Sequence, residues 1–345
     1  MNITDYIKKY DADNMYQVLK DSHKQIEFAW SNNFDLSSLK NSKISQIIVS
    51  GIGGSAIAGN FAQNFLRDEL KVPLIVNRNY SLPASADENT LVILSSYSGE
   101  TEETLSTFED AIKKQCKVIC VTTGGTLQLV ARAKSFPVVS LMEGFQPRFA
   151  FAVSFFTLLR ILQTLGLIDD QTEIVNKIIE NWKDRSERLS SDSSEAIKLA
   201  EKVMGFVPVI LSAADYTDSV GLRFKGQFNE NSKMAAFCNS LPEQNHNEIV
   251  PWEYHNNEQN PFIVIALMDN SYHPRIKKRF EIITELIRKS GVEVIEIKSR
   301  SESFKERLCN LLYCTDWLTY YCALFQGRNP KEINYIHHLK NNLSK

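Results

Sequence analysis

Long apolar runs are missing from this sequence. The most apolar stretches, Phe149–Leu159 and Phe262–Met268, fall well short of the roughly 20 residues that a membrane-spanning helix needs. The first residues, MNITDYIKKYDADN, are polar and mixed in charge, without the apolar core of a signal peptide. A basic excess is missing too: 39 Lys and Arg face 41 Asp and Glu, a net charge of −2, so no nucleic-acid footprint is expected. The six cysteines (116, 120, 238, 309, 314, 322) include no CxxC pair. Reduced, buried thiols and a cytoplasmic location follow as expectations. With 43% hydrophobic and 23% charged residues, the composition is that of a soluble globular protein and excludes disorder and collagen-like repeats. A length of 345 residues suggests two domains.

The pattern along the chain supports that division. Residues 1–44 read as a helical arm with spaced aromatics. Strands are expected at 45–50, 72–76, 91–94, 117–121 and 136–140, interleaved with helices at 101–114, after Gly125 and at 149–165. Residues 170–203 are charged and helical. The alternation then restarts, with strands at 206–212, 235–238, 262–267 and 292–297, and helices at 216–231, 275–289, 304–325 and 331–343. Strands alternating with helices of this length predict an α/β protein with parallel sheets flanked by helices. The expected domains are residues 1–168, a connecting helix at 169–204, and 205–345 with a C-terminal helix.

Glycine is scarce outside one region. Of 14 glycines, eight lie between Gly51 and Gly144, clustered at strand ends where backbone must approach something closely. Ligands of open α/β sheets sit outside the carboxyl ends of the strands. One cluster, Gly51-Ile-Gly-Gly-Ser55, joins a strand to a helix, so the amides near Gly53, Gly54 and Ser55 suit an anion. It lacks the ribose-binding acid of a dinucleotide fold, Asn77 and Arg78 standing in its place, and the Lys-Ser or Lys-Thr ending of a nucleotide loop. A second motif, Ser95-Ser-Tyr-Ser-Gly-Glu-Thr101, follows a strand and opens a helix. Ser96, Ser98 and Thr101 place three hydroxyls within six residues, more than a helix cap requires, and suit a phosphate monoester without metal.

GIGGS followed by SSYSGETEET resembles the sugar isomerase (SIS) domain, a phosphosugar-binding module with a five-stranded parallel sheet. In the second half, Asn229-Glu-Asn-Ser-Lys233 is followed by Leu241-Pro-Glu-Gln-Asn-His-Asn-Glu248, with Glu230 and His246 16 residues apart. That pairing resembles the bifunctional phosphoglucose/phosphomannose isomerases. So do Arg78-Asn-Tyr-Ser-Leu-Pro83, Gly144-Phe-Gln-Pro-Arg-Phe149 and the segment Asn329–Lys340. The resemblance implies a cofactor-free, metal-free aldose–ketose isomerase acting on glucose, mannose and fructose 6-phosphates, and a homodimer whose active sites are shared between subunits. It assigns Glu230 as the base moving a proton between C2 and C1, and His246 to ring opening. It assigns Lys340 to assistance at the ring oxygen, and Arg148 to neutralising the enediolate. These residue types can carry such proton transfers and charge stabilisation. The family's small hydroxyl residue near C2 has no counterpart at Ile333 and Asn334, so the mannose activity rests on less of the sequence than the glucose activity. His23, His255 and His273 read as surface or structural residues. His337 and His338 point to different helix faces and do not read as a metal pair. The competing readings are another SIS enzyme, such as an aminosugar-phosphate isomerase, or a non-catalytic phosphosugar sensor.

Overall fold

The structure, a computed structural model, describes residues 2–255 and 261–343. It forms two compact units. One is Ser22–Glu180; the other combines the residues up to Asp21 with those from Asn181 onward. The first helices, α1 (Ile3–Tyr10) and α2 (Met15–Lys20), thus belong with the C-terminal half, whereas the sequence pattern groups them with the first domain. Likewise the expected connecting segment at 169–204 is divided, and its part from Asn181 is built into the C-terminal unit.

The N-terminal unit opens with α3 (Ser22–Ser31) and alternates β1 (Gln46–Ser50), α4 (Gly54–Phe65), β2 (Leu74–Asn77), β3 (Thr90–Ser95), α5 (Glu102–Lys113), β4 (Lys117–Thr122), α6 (Gly125–Ala133) and β5 (Val138–Ser140), then α7 (Phe151–Thr164). All pairings are parallel, in the order β2-β1-β3-β4-β5. The central strand β3 is buried along its whole length, as a sheet covered on both faces requires, and its near-continuous apolar sequence reflects this. On one face Ile48, Val92, Leu94, Val118 and Cys120 pack with Phe108 and Leu127. Elsewhere in the unit, Phe61 and Phe65 of α4 meet Phe155 of α7 edge to face, with ring centroids 4.7 and 5.2 Å apart.

After α8 (Thr172–Leu189) and α9 (Glu195–Val203), the C-terminal unit continues with β6 (Val207–Ala213), α10 (Asp218–Gln227), β7 (Phe237–Leu241), β8 (Phe262–Met268), α11 (Pro274–Lys289), β9 (Val294–Lys298), α12 (Phe304–Phe325) and α13 (Asn334–Leu343). Its sheet is parallel and four-stranded, in the order β7-β6-β8-β9. The fifth strand of the N-terminal unit has no counterpart among the described residues. After β9 the chain turns directly into α12.

Helix α12 is the core of this unit: every residue from Glu306 to Leu324 is buried. Most of its polar groups are therefore satisfied inside the protein, Asn310 Oδ1 and Trp317 Nε1 being exceptions. Arg223 of α10 grips Asp316 with two bonds, Nε–Oδ1 at 3.0 Å and Nη2–Oδ2 at 2.8 Å, and Gln227 adds a third at 3.2 Å. Within α12, Tyr313 donates to the Leu19 carbonyl (2.7 Å) and Tyr320 to Asp11 (2.9 Å). The Trp317 ring meets Tyr16 edge to face at 5.4 Å. These bonds and rings draw α1 and α2 to the C-terminal half.

All six cysteines are free, five of them buried. Burial pushes the Cys120, Cys238 and Cys314 thiols up to about 12, which leaves them protonated and poor nucleophiles at neutral pH.

Burial raises the Asp316 carboxyl and Arg223 counters it. Arg223→Ala removes the partner of a buried carboxylate and is expected to cost about 3–5 kcal/mol, read as a lower urea midpoint at unchanged slope. A loss below about 1 kcal/mol would show that α12 does not depend on this pair.

Candidate active site

At the carboxyl end of β1 the chain turns through Gly51–Gly54 into α4. Gly53 caps that helix at φ 55°, ψ −123°, a backbone conformation open essentially to glycine. A Cβ on Gly54 would lie 2.7 Å from the Pro147 carbonyl oxygen, so this turn packs directly on the segment that carries Arg148. Ser55 is buried in the first turn of α4.

The β3 loop lies beside it. Ser96 is 1% exposed, and its Oγ sits 2.8 Å from Thr101 Oγ1 while accepting from the Gly99 amide at 3.1 Å. Thr101 occupies the N-cap of α5 but its side chain makes no capping bond; its hydroxyl is turned to Ser96 instead. Ser98 is exposed and accepts from the Glu100 amide at 3.2 Å. Glu100 carries no sequence signal of function, yet it braces the loop. Its carboxylate accepts from the Thr126 amide (2.7 Å) and the Thr126 hydroxyl (2.8 Å) at the start of α6. Gly99 has φ +72°, and a Cβ there would fall 1.9 Å from the Gly124 carbonyl oxygen. Only glycine lets these two loops close on each other.

Arg148 lies in a short 3-10 turn, Pro147–Phe149. It is 4% exposed, with its guanidinium 5.3 Å from the Phe149 ring centroid. This is a buried arginine rather than a solvated loop residue. Its segment is held by Tyr97, which sequence reasoning passes over. The Tyr97 hydroxyl donates to the Met142 carbonyl (2.8 Å) and accepts from the Phe145 amide (3.0 Å). The only sequence signal is an aromatic residue set between two serines.

Glu230, His246 and Lys340 belong to the C-terminal unit. Helix α10 does not run regularly to Asn231 as its periodicity suggests. It passes into a π-turn, Phe228–Ser232, that ends at Lys233 in the left-handed region. Such turns recur at functional sites because they re-aim a side chain. Lys233 closes the turn from outside, its Nζ donating to the carbonyls of Glu230 (3.0 Å), Asn231 (3.0 Å) and Asn329 (2.5 Å). From inside, Asn231 bonds Thr319 Oγ1 (3.2 Å) and Ser232 bonds the Thr319 carbonyl (2.7 Å). Glu230 is left half-buried between these anchors. Strand β7 begins at Phe237 rather than at the expected 235.

His246 ends a 3-10 turn, Glu243–His246, at the carboxyl end of β7, and is exposed. Its neighbour Asn245 accepts from Arg279 Nη1 at 3.1 Å. Lys340 lies on the exposed face of α13. No helix among the described residues is long and apolar enough to cross a membrane. Nor do three or more His, Cys, Asp or Glu side chains gather there as a metal cluster.

Residues 38–136 match the SIS domain, and residues 192–343 match the bacterial phospho-glucose isomerase C-terminal SIS domain. The bifunctional phosphoglucose/phosphomannose isomerase of Caldicellulosiruptor bescii is 37% identical over 335 residues, spanning 96% of this chain and 99% of that protein. This chain belongs to the bifunctional phosphoglucose/phosphomannose isomerase family. A D-glucosamine-6-phosphate 4-epimerase from Sulfolobus acidocaldarius is also similar, at 36% identity over 64% of this chain and 68% of its own length. Among solved structures, a hypothetical protein from Thermus thermophilus has a TM-score of 0.75 at 13% identity, covering 99% of this chain and 92% of its own. That likeness concerns the fold.

If the Ser96–Thr101 hydroxyl pair receives the substrate phosphate, Ser96→Ala with Thr101→Ala removes two donors to a dianion. Each such bond is worth about 1.5–3 kcal/mol, so affinity for a sugar phosphate should fall more than about tenfold. An unchanged Kd would make the loop a structural turn only.

Proposed function

We propose that this protein interconverts glucose 6-phosphate, and also mannose 6-phosphate, with fructose 6-phosphate, without cofactor or metal. Family membership over nearly the whole chain supports the reading, and the observation that carries it is the π-turn holding Glu230 half-buried between Lys233 and Thr319. A carboxylate carried on a backbone anchored in this way can take the C2 proton and return it to C1 from one face of the sugar.

The remaining roles are those the motifs and the family resemblance imply, and the placement of the residues supports them. Gly53, Gly54, Ser55, Ser96, Ser98 and Thr101 receive the phosphate at the carboxyl ends of β1 and β3. Arg148 neutralises the enediolate formed between the two proton transfers: its charge is fixed, and burial spares it from competing water. His246 opens the sugar ring, as an imidazole able to donate and accept a proton can do, and Lys340 assists at the ring oxygen. The enzyme works as a cytoplasmic homodimer in which each site draws on both subunits. The apolar line Tyr335, Leu339 and Leu343 on α13, 58–92% exposed, supports a second copy, because an amphipathic helix needs a surface to cover its apolar face.

Action on an amino-sugar phosphate is the second reading, favoured by the epimerase relative. A coupled assay in EDTA decides between them: turnover of fructose 6-phosphate is expected to persist, and preference for glucosamine 6-phosphate would select the second reading. Glu230→Gln keeps the shape but cannot accept a proton. Loss of a general base typically costs about 10²–10⁴ in rate, so kcat should fall at least about 10²-fold with sugar-phosphate affinity nearly intact. Near wild-type turnover in that variant would remove Glu230 from the role. Mixed Glu230→Gln and His246→Ala subunits should regain activity, since one site of each heterodimer keeps both residues. No recovery after verified subunit exchange would place both groups in one chain.

A further inference from the structure

The C-terminal unit contains a second site-like feature at the opposite edge of its sheet from the His246 loop. A cleft of about 980 Å³ runs beside edge strand β9, walled by α8, α9 and α12. Three strand spacings, roughly 14 Å, separate β9 from β7, the strand that leads to His246. In the N-terminal unit the corresponding strand, β4, is covered by β5. Here no strand pairs with β9 on that side among the described residues, and the uncovered edge faces the cleft.

The lining is strongly cationic: Arg185, Arg188, Lys198, Lys202, Lys298 and Arg300 stand against two carboxylates, Glu195 and Glu296. Four of the six are ion-paired, Arg185 with Glu195 (3.3 Å), Lys202 with Glu293 (3.1 Å), Lys298 with Glu296 (3.0 Å) and Arg188 with Asp184. Lys198 and Arg300 form no ion pair among the described residues. A solvated basic surface would need nothing more, but this one is backed by buried polar atoms that lack partners. Ser299 is 8% exposed and its Oγ makes no hydrogen bond. Asn310 is 1% exposed and its Oδ1 makes none. The buried Nε of Arg185 also has no partner. Both side chains and the guanidinium line the cleft. Buried polar groups are almost always satisfied, so the two orphaned donors, the Ser299 hydroxyl and the Arg185 Nε–H, beside one basic cavity point to an absent ligand that accepts hydrogen bonds and carries negative charge. Beside them Leu199, Ile297 and Leu311 form an apolar wall. The volume lies at the upper end of the range for small-molecule sites and exceeds what a single phosphate would fill.

We propose that this cleft binds a diphosphate-bearing metabolite, separately from the sugar-phosphate site. The diphosphate is set among Lys198, Arg300, Arg185 Nε–H and the Ser299 hydroxyl, and the apolar wall takes any attached organic group. The assignment rests on the cleft itself and holds whether or not the isomerase reading does.

Calorimetry with metal-free inorganic pyrophosphate and with ADP tests it on the full-length protein. Saturable one-to-one binding of at least one probe is expected, with Kd below about 1 mM. Tighter binding of ADP would assign the apolar wall to a nucleoside, and equal binding would assign the diphosphate alone. Lys198→Glu with Arg300→Glu changes two exposed side chains and should weaken binding at least about tenfold, leaving basal isomerase kcat/KM unchanged. Ser299→Ala should leave the melting temperature of the free protein unchanged or higher, and shrink the shift that the probe produces. Binding should persist when Ser96 and Thr101 are both alanine. The proposal is overturned if neither probe binds, if the charge reversals leave binding unchanged, or if the Ser96/Thr101 substitutions abolish it.

Discussion

Strands of a parallel sheet must all be re-entered from the same end, so every strand-to-helix turn opens on one edge. This constraint places most of the candidate site residues of both units. In the N-terminal unit the Gly51–Ser55 and Ser96–Thr101 turns follow neighbouring strands β1 and β3, so two loops some forty residues apart in the chain become adjacent, and together form the proposed phosphate site. In the C-terminal unit the same rule sets His246 beyond the end of β7. Glu230 and Lys340 are exceptions: Glu230 stands at the far end of α10, where a π-turn rather than a strand end carries it, and Lys340 lies on α13.

The second constraint is burial of polar groups. Helix α12 is buried almost throughout, yet carries Arg307, Asp316 and three tyrosines. Each finds a partner: Asp316 with Arg223, Arg307 with Asp269 at 2.7 Å, and the tyrosines with backbone carbonyls or Asp11. These partners lie on segments far apart in the chain, so satisfying one helix assembles the unit. The same logic separates the β9 cleft from ordinary surface: its orphaned polar atoms break a rule that α12 largely obeys.

Precision at the proposed catalytic groups comes from residues that do no chemistry. Lys233 and Thr319 fix the π-turn under Glu230. Tyr97 holds both ends of the loop before Arg148, and Glu100 ties the Ser96–Thr101 loop to α6. Each holds backbone in place, and so fixes the position of the neighbouring candidate group.

The sequence by itself determined what depends on near neighbours. Alternating apolar strands and amphipathic helices, the glycine turn after β1 and the three hydroxyls after β3 are local patterns. The structure places most element ends within a residue or two of where they read, and the ends of α10 and β7 and the start of α13 three or four residues away. Glu230 and His246 are legible because their motifs carry a family resemblance, not because their chemistry can be derived from spacing. Tertiary structure alone decided the rest. Asp11 and Tyr320 bond across 309 residues of chain, which no window of sequence reports, so the first helices read with the wrong half. Arg148 has the sequence of a loop arginine, and only the fold buries it. Lys233 reads as one letter of a motif, and only the fold sets its ammonium against three carbonyls. The β9 cleft draws its cations from α8, α9 and the end of β9, segments whose charges look like solvated helix faces one at a time. Hydrogen bonding and burial join residues by distance in space, and that distance is set only when the chain has folded.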